Sequence, residues 1–417
     1  MDSTNTAFQH IKRAAELQSR GEFQAAIAEF NQALASDCEQ AEVFNNRGLA
    51  YQALGNTAAA TADFDKALSL KSEFPEALNN RGIARFFQGD SAAALADFDR
   101  AFALNPNYPE AANNRGFARQ TMGDPAAALL DFDRAIALRP GYAEAYNNLG
   151  LAHQALGDPA SAIKDFNEAL RLTPRHASAS IYHNRGAACY ALGDATRALA
   201  DFNEALAINP RHHNTYNNRG SARHALMDLE GALADFNFAL QVTPREHSAS
   251  IHHNRGGVRI TQRDFPAALA DYEQALEIDP KFCAAYVSRG NARYHVEDLD
   301  GHADYMTALS MDAKLASHEI IRILGADLRS GPVAVLYNCN QHIKKNPGHV
   351  TAYIRRGLSF VLLGRDEAAV DDLEEVYRQH PEVRPPGMFQ HLIDDAKRYR
   401  EASPILADAT SEKPPGS

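Results

Sequence analysis

The chain has 417 residues, 45% of them hydrophobic and 23% charged, which is enough apolar material for a long core and excludes a disordered or collagen-like polymer. Trp is absent and the formal net charge is −11, a mean field that disfavours nucleic acid and anionic membrane surfaces, with no local basic stripe to offset it. The opening MDSTNTAFQHIKRAAELQ lacks the apolar core of a secretory signal, and no later stretch approaches 18 uncharged apolar residues, so a cytoplasmic chain without membrane insertion is expected. Cys38, Cys189, Cys283 and Cys339 are far apart and form no CxxC pair, which predicts reduced, structural thiols and neither a metal site nor a cofactor.

Residues 1–6 read as a short tail, and from residue 7 onward two helices alternate with two breaks. A segment such as AEVFNNRGLAYQAL (41–54) is followed by Gly-Asn, then by TAAATADFDKALSL (57–70); later periods use Gly-Asp at the turn and often close on Asn-Pro, Thr-Pro or Asp-Pro. Gly55, Gly89, Gly123, Gly157 and Gly193 suit the left-handed residue that ends a helix, and the Asn or Asp after each can cap the next. Pro125 and Pro159 sit where a helix begins, while Pro106, Pro140, Pro174, Pro210, Pro244 and Pro280 stop the second helix.

The word NNRG stands at 45–48, 79–82, 113–116 and 217–220, with NNLG at 147–150 and HNRG at 183–186 and 253–256. Its glycines, continued to Gly290, are 34 residues apart except for two spacings of 36. The longer junctions, TPRHASASIYHNRG and TPREHSASIHHNRG, lie 70 residues apart and read as the product of a two-unit duplication.

Several spacings recur together. Gly48 and its equivalents are followed at fixed intervals by Ala60, Ala94 and Ala128, by the aromatics Phe64, Phe98, Phe132, Phe166, Phe202, Phe236 and Tyr272, and by Ala67, Ala101 and Ala135. In these positions the chain resembles the tetratricopeptide repeat (TPR) family. The resemblance implies an all-α fold: a right-handed α-solenoid, or superhelix, of about eleven helix-turn-helix units whose cores close only against their neighbours.

Units are expected at 7–40, 41–74, 75–108, 109–142, 143–178, 179–212, 213–248, 249–282, 283–315, 316–349 and 350–383. The first eight form a regular array over 7–282 and those in 283–349 are degenerate. There Ser288 replaces an Asn, EDLDGHADYMTAL is one residue short, and His302 falls near the expected Ala. A final unit and a polar-faced closing helix (388–402) make up 350–402, and 403–417 reads as a loose tail.

Within NNRG each residue faces a different environment. Arg47, Arg81, Arg115, Arg185, Arg219 and Arg255 are each followed 16 residues later by an acid, Asp63, Asp97, Asp131, Asp201, Asp235 or Asp271, which predicts an ion pair between the two helices of a unit rather than a hook for a ligand's phosphate. Leu149 with Asp165 is the exception.

The sixth-position asparagines, Asn46, Asn80, Asn114, Asn148, Asn184, Asn218 and Asn254, form a column similar to the asparagine ladder in the TPR superhelix of O-GlcNAc transferase, although no catalytic domain accompanies it here. The likeness implies a concave groove that grips an extended segment of a partner protein through its main chain, because an amide offers both donor and acceptor. The other possibility is that these amides only bond a neighbouring helix.

Glu42, Glu76, Glu110 and Glu144 make the first half of that groove acidic, whereas Ser180, Asn214 and Ser250 make its middle neutral. No Lys or Arg occupies a second or fifth position, which argues against a clamp for an acidic C-terminus; the basic sixth positions are Lys12 and Arg355. His183, His253, His224 and Tyr190 add polar groove residues, with pH sensing or metal binding as the alternative for the imidazoles. Phe86, Phe87 and Phe117 are either an apolar pocket or core. The functional expectation is a non-catalytic scaffold or adaptor, with self-association and a hinge at 283–349 as further possibilities; the alternative is an accessory subunit presenting substrates to a separate enzyme such as a glycosyltransferase.

Overall fold

A computed structural model describes residues 3–36, 40–296, 301–312, 316, 332–379, 394, 397 and 398. The closing helix expected at 388–402 lies almost wholly outside them, as do the tail at 403–417, Cys38 and much of the expected hinge. Every regular element among the described residues is helical. The chain divides into two compact units, 1–210 and 211–417.

The first unit comprises α1 (Ser3–Ser19), α2 (Phe23–Ala35), α3 (Ala41–Ala53), α4 (Thr57–Leu70), α5 (Pro75–Phe87), α6 (Ser91–Leu104), α7 (Pro109–Thr121), α8 (Pro125–Leu138), α9 (Ala143–Ala155), α10 (Pro159–Leu172), α11 (Ala179–Ala191) and α12 (Ala195–Ile208). The second comprises α13 (His213–Ala225), α14 (Leu229–Val242), α15 (Ala249–Thr261), α16 (Phe265–Ile278), α17 (Cys283–His295), α18 (Gly301–Met311), α19 (Pro332–Lys345), α20 (Val350–Leu362) and α21 (Asp366–Gln379). Because α1 begins at Ser3, residues 3–6 are helical rather than tail.

Local chemistry sets these ends. Gly55, Gly89, Gly123, Gly157 and Gly193 have φ between 75° and 88°, the left-handed conformation that closes a helix at little cost in glycine. Met227 and Arg263 hold the same turn at φ 63° and 62° without that freedom. Asn56, Asp90, Asp124 and Asp158 each accept a hydrogen bond from the backbone N–H three residues on, and Asp194, Asp228 and Asp264 repeat the cap. The two longer junctions fold as single 3₁₀ turns, Arg175–Ala177 and Arg245–His247, after which the Ser178 and Ser248 hydroxyls donate to Pro174 and Arg245 carbonyls at 2.9 and 2.7 Å.

The core is shared between successive pairs. Phe64 and Ala60 of one pair pack with Ala84 of the next, Phe98 and Ala94 with Ala118, and Phe132 and Ala128 with Ala152. In the second unit Phe236 packs with Val258 and Tyr272 with Ala292. Each buried ring therefore covers surface that its own helix pair could not remove from water, so a single pair lacks a closed core. Glycine at the eighth position makes room for the ring: a Cβ on Gly48, Gly82, Gly150 or Gly186 would stand 2.6–2.7 Å from the facing aromatic Cε1.

The shortened pair α17–α18 keeps this geometry by moving every partner one residue earlier. Arg289 meets Asp304 after 15 residues instead of 16, and Tyr305 fills the ring position. Gly301, not His302, stands where the facing small residue is needed, its carbonyl 2.9 Å from a Cβ built on Gly290. In α20–α21 the pattern returns, with Arg356 donating to Asp372 and Leu373 lying against Gly357.

Candidate functional site

The first helices of successive pairs lie side by side within each unit; their shared face carries an ionic layer and an amide layer and, in the first unit, an apolar pocket. The first layer is ionic. Arg47, Arg81 and Arg185 each donate through Nε and Nη2 to Asp63, Asp97 and Asp201 at 2.6–2.8 Å, the fork-to-fork geometry that suits guanidinium and carboxylate. Arg219–Asp235 repeats it, whereas Arg115 donates through both nitrogens to the single Oδ1 of Asp131 and Arg255 Nε is shared between the two Asp271 oxygens.

The remaining Nη1 reaches the second helix of the preceding pair: Asn31 from Arg47, Asp65 from Arg81, Asp99 from Arg115, Asn167 from Arg185 and Asn237 from Arg255. Each arginine therefore joins three helices. A second arginine, four residues on, shares the buried acid: Arg85 with Asp97, Arg119 with Asp131, Arg223 with Asp235 and Arg259 with Asp271. These second arginines and the Asp or Asn after each aromatic were not singled out from the sequence. Their signal was there in the repeated DFD and DFN words and in the Arg spaced four residues from that of NNRG.

Where Leu149 replaces arginine, His153 Nδ1 lies 2.7 Å from Asp165 and restores a partner to the acid. Burial pushes the Asp165 carboxyl above its ordinary range, although the contact with His153 pulls the other way. Asp271 moves oppositely: burial raises it, but hydrogen bonds with His252 and Arg255 together hold it below the usual carboxylate value.

The second layer is made of amides. Asn80, Asn114, Asn148 and Asn184 donate from Nδ2 to Oδ1 of the fifth-position Asn45, Asn79, Asn113 and Asn147 of the preceding pair at 2.9–3.0 Å. In the second unit Asn254 donates likewise to Asn217 at 3.1 Å. Within a pair the amides touch more loosely: Asn45, Asn79 and Asn113 donate to Asn46, Asn80 and Asn114 at 3.3–3.5 Å. Much of the amide column is thus engaged between helices; Asn80 and Asn114, each donating once and accepting once, keep one N–H and one lone pair for anything else. Asn218 is half-buried.

The histidines take places in the same scheme. His253 Nε2 lies 3.0 Å from Ser288 Oγ, a rung with Ser in place of Asn, and its ring sits 5.0 Å from that of Phe282. His183 lies 5.9 Å from the Phe202 ring. His224 Nε2 meets Thr261 Oγ1 at 2.8 Å, and burial lowers its pKa. Tyr190 is 41% exposed. Among the described residues no three His, Cys, Asp or Glu side chains gather closely enough to hold a metal ion.

Glu42 is held below the usual carboxylate range, first by its hydrogen bond with Lys71 at 3.0 Å, and Glu110 pairs with Arg139. Glu144 accepts only a long 3.4 Å bond from Asn113, and Glu76 is exposed. The acids act on nearby phenols: Tyr108 is pushed up to about 12, first by burial and then by Glu110 and Glu76, and Tyr142 rises through burial, Glu144 and Glu110.

Beside these acids a pocket of about 340 Å³ opens across α5, α7 and α9. Phe86, Phe87 and Phe117 form its aromatic wall, and Asn114, Asn148 and Glu144 its polar edge. The Phe86 ring meets that of Phe87 edge-on at 6.3 Å and that of Phe117 tilted at 5.2 Å. Phe87 is 76% and Phe117 44% exposed, whereas Phe86 is half-buried against the Phe98 cluster.

Models of the tetratricopeptide repeat match residues 16–55, 41–74, 75–108, 108–175, 141–211, 249–282 and 351–382. The chain belongs to the tetratricopeptide repeat family, whose arrays serve as protein-interaction scaffolds. No curated protein matches it significantly. Among solved structures it is similar to a human IFIT1 dimer with PPP-AAAA, at 16% identity over 88% of each chain and a TM-score of 0.53. It is also similar to the Cut9–Hcn1 hetero-tetramer of APC/C, at 18% identity over 67% of this chain and 54% of that one with a TM-score of 0.54, and to MamA, at 28% identity over 40% and 91% with a TM-score of 0.36. Among the described residues no helix is long and apolar enough to cross a membrane.

Proposed function

We propose that this protein is a non-catalytic scaffold that holds an extended or disordered segment of another protein along its first-helix face, the concave groove of the family. The observation that carries the reading is the pocket beside Asn114 and Asn148: two large aromatic side chains are left exposed next to amides that each retain at least one donor and one acceptor site. An isolated exposed Phe needs no explanation, but three adjoining rings at the edge of a polar seam form a side-chain socket next to main-chain anchors. The amides' first task is between repeats, so the grip on a ligand's backbone comes from what they have left over. Buried, unbridged Cys189, Cys283 and Cys339 support a reducing, cytoplasmic setting.

The test is selection of a randomised dodecamer peptide library against the full chain, followed by hydrogen exchange on the complex. The expected result is a family of unstructured peptides whose binding protects amides in α5, α7 and α9. The reading fails if no peptide is enriched, or if the enriched peptides protect only second helices.

A further inference from the structure

Resting on that reading, we infer that the Phe86–Phe87–Phe117 pocket is a specificity socket for a bulky apolar side chain of the bound segment, with a Lys or Arg of the same segment placed beside it against Glu144.

The apolar half of the inference comes from shape and surface. A volume of about 340 Å³ with an aromatic wall accommodates one large side chain and a neighbouring stretch of main chain, and it sits at the small end of natural ligand sites. The wall is not simply the core extended outward. Phe98 below is 2% exposed and Phe86 is half-buried, but Phe87, next in sequence to Phe86, turns out of the core and leaves most of its ring in water. An exposed ring held edge-on against a fixed neighbour offers a face and an edge to an incoming aliphatic or aromatic group.

The basic half comes from charge complementarity. Glu42 and Glu110 of the second-position series already have cationic partners in Lys71 and Arg139. Thr173, 29 residues after Glu144, stands where those partners stand 29 residues after Glu42 and Glu110, so this sequence supplies no equivalent cation for Glu144. Glu144 lies on the pocket rim and accepts only the long bond from Asn113. Glu144 is exposed, so a cation beside it gains modestly, while the acid repels acidic segments. The occupant is thus a partner segment in which a large apolar residue adjoins a basic one.

The experiment uses the selected dodecamers on the full chain, with fluorescence anisotropy against wild type, Phe87→Ser, Glu144→Gln and Glu144→Lys. Leu130→Ser, also at an exposed site but on a second helix, is the control. The peptides should be enriched in Phe, Leu, Ile or Met next to Lys or Arg. Phe87→Ser should weaken them about tenfold or more. Glu144→Gln should weaken them about threefold, with no further loss once the peptide's basic residue is changed to Gln. Glu144→Lys should reverse the preference toward an acidic neighbour, and Leu130→Ser should change nothing.

If peptides bind and protect the first helices but Phe87→Ser leaves their affinity unchanged, the socket is overturned while the scaffold reading stands. Enrichment of acidic residues overturns the charge assignment. A wild type that dimerises in sedimentation and a Phe87→Ser variant that does not would give the pocket to a second copy of the chain, which also overturns the inference.

Discussion

Asn148 donates its Nδ2 hydrogen to Asn113 Oδ1 at 3.0 Å, and this pair, 35 residues apart, is buried between two neighbouring helix pairs. Asn148→Ala leaves the Asn113 acceptor buried without its donor and should cost about 1–3 kcal/mol. The double variant Asn113→Ala/Asn148→Ala should cost less than the sum of the two singles. Native-state hydrogen exchange on α7 and α9 reads this directly, and strict additivity would show that the rung is not an energetic unit.

Asp131 serves two guanidinium groups, Arg115 and Arg119. Its loss should therefore be much worse than loss of either arginine. Asp131→Ala is expected to cost about 3 kcal/mol, because it removes the 2% exposed acid that both cations share and leaves them only Asp99, whose side chain is 47% exposed. Arg115→Leu, which copies Leu149, should cost about 1–2 kcal/mol because Arg119 still neutralises the acid. Urea unfolding of the two variants side by side decides it; equal losses would refute the sharing.

Gly186→Ala would bring a methyl to 2.7 Å from Phe202 Cε1, which a fully buried ring cannot yield without shifting α12. The expected loss is about 1–3 kcal/mol, largely recovered when Phe202→Leu is added. Thermal unfolding of the single and double variants checks both halves of that statement.

Met227 and Arg263 hold left-handed turns that glycine holds elsewhere in the array. Met227→Gly and Arg263→Gly should each stabilise the second unit by about 0.5–1 kcal/mol, the relief of backbone strain exceeding glycine's entropy cost. A lower unfolding midpoint for either variant would show that the side chains contribute more than the turn costs.

Asp271 and Asp165 should respond to pH in opposite senses. The Asp271 pKa is lowered in the folded chain, so its contribution is present above the unfolded-state carboxylate value and fades as pH falls through the folded value. The Asp165 pKa is raised, so its contribution is present below the unfolded value and is lost as pH rises through the folded one. Asp271→Asn should therefore destabilise at pH 7 by more than at pH 3, and Asp165→Asn should be tolerated better at pH 7 than at pH 3. Urea titrations at the two pH values provide the test, and parallel behaviour would contradict the assignment.

The helix pairs were legible because Gly48, Phe64 and their equivalents encode a contact within each pair, at a fixed separation along one chain. What a side chain meets in the next pair depends on the rotation between pairs, which no single spacing records. For that reason the sequence gives Asn114 a column but not Asn79 as its acceptor, and gives Arg115 its Asp131 but not Asp99. Phe86 and Phe87 show the same limit, since a turn of about 100° between adjacent helical residues separates a packed ring from a solvated one. The missing residue before Gly301 could be counted in the sequence, whereas the small residue that replaces His302 at the contact emerged only in three dimensions.

From Asn148 through Asn113, Asn114, Asn79, Asn80 and Asn45 to Asn46, each carboxamide donates to the next in a single unbroken relay that ends on Asn46 as acceptor. Turning any one member around would set two NH₂ groups nose to nose at one joint and two oxygens at the other, so the seven keep a common orientation and their dipoles add. The relay consequently has a head and a tail, like a one-way street, and any strand running alongside meets a different sequence of spare donors and acceptors in each direction of travel.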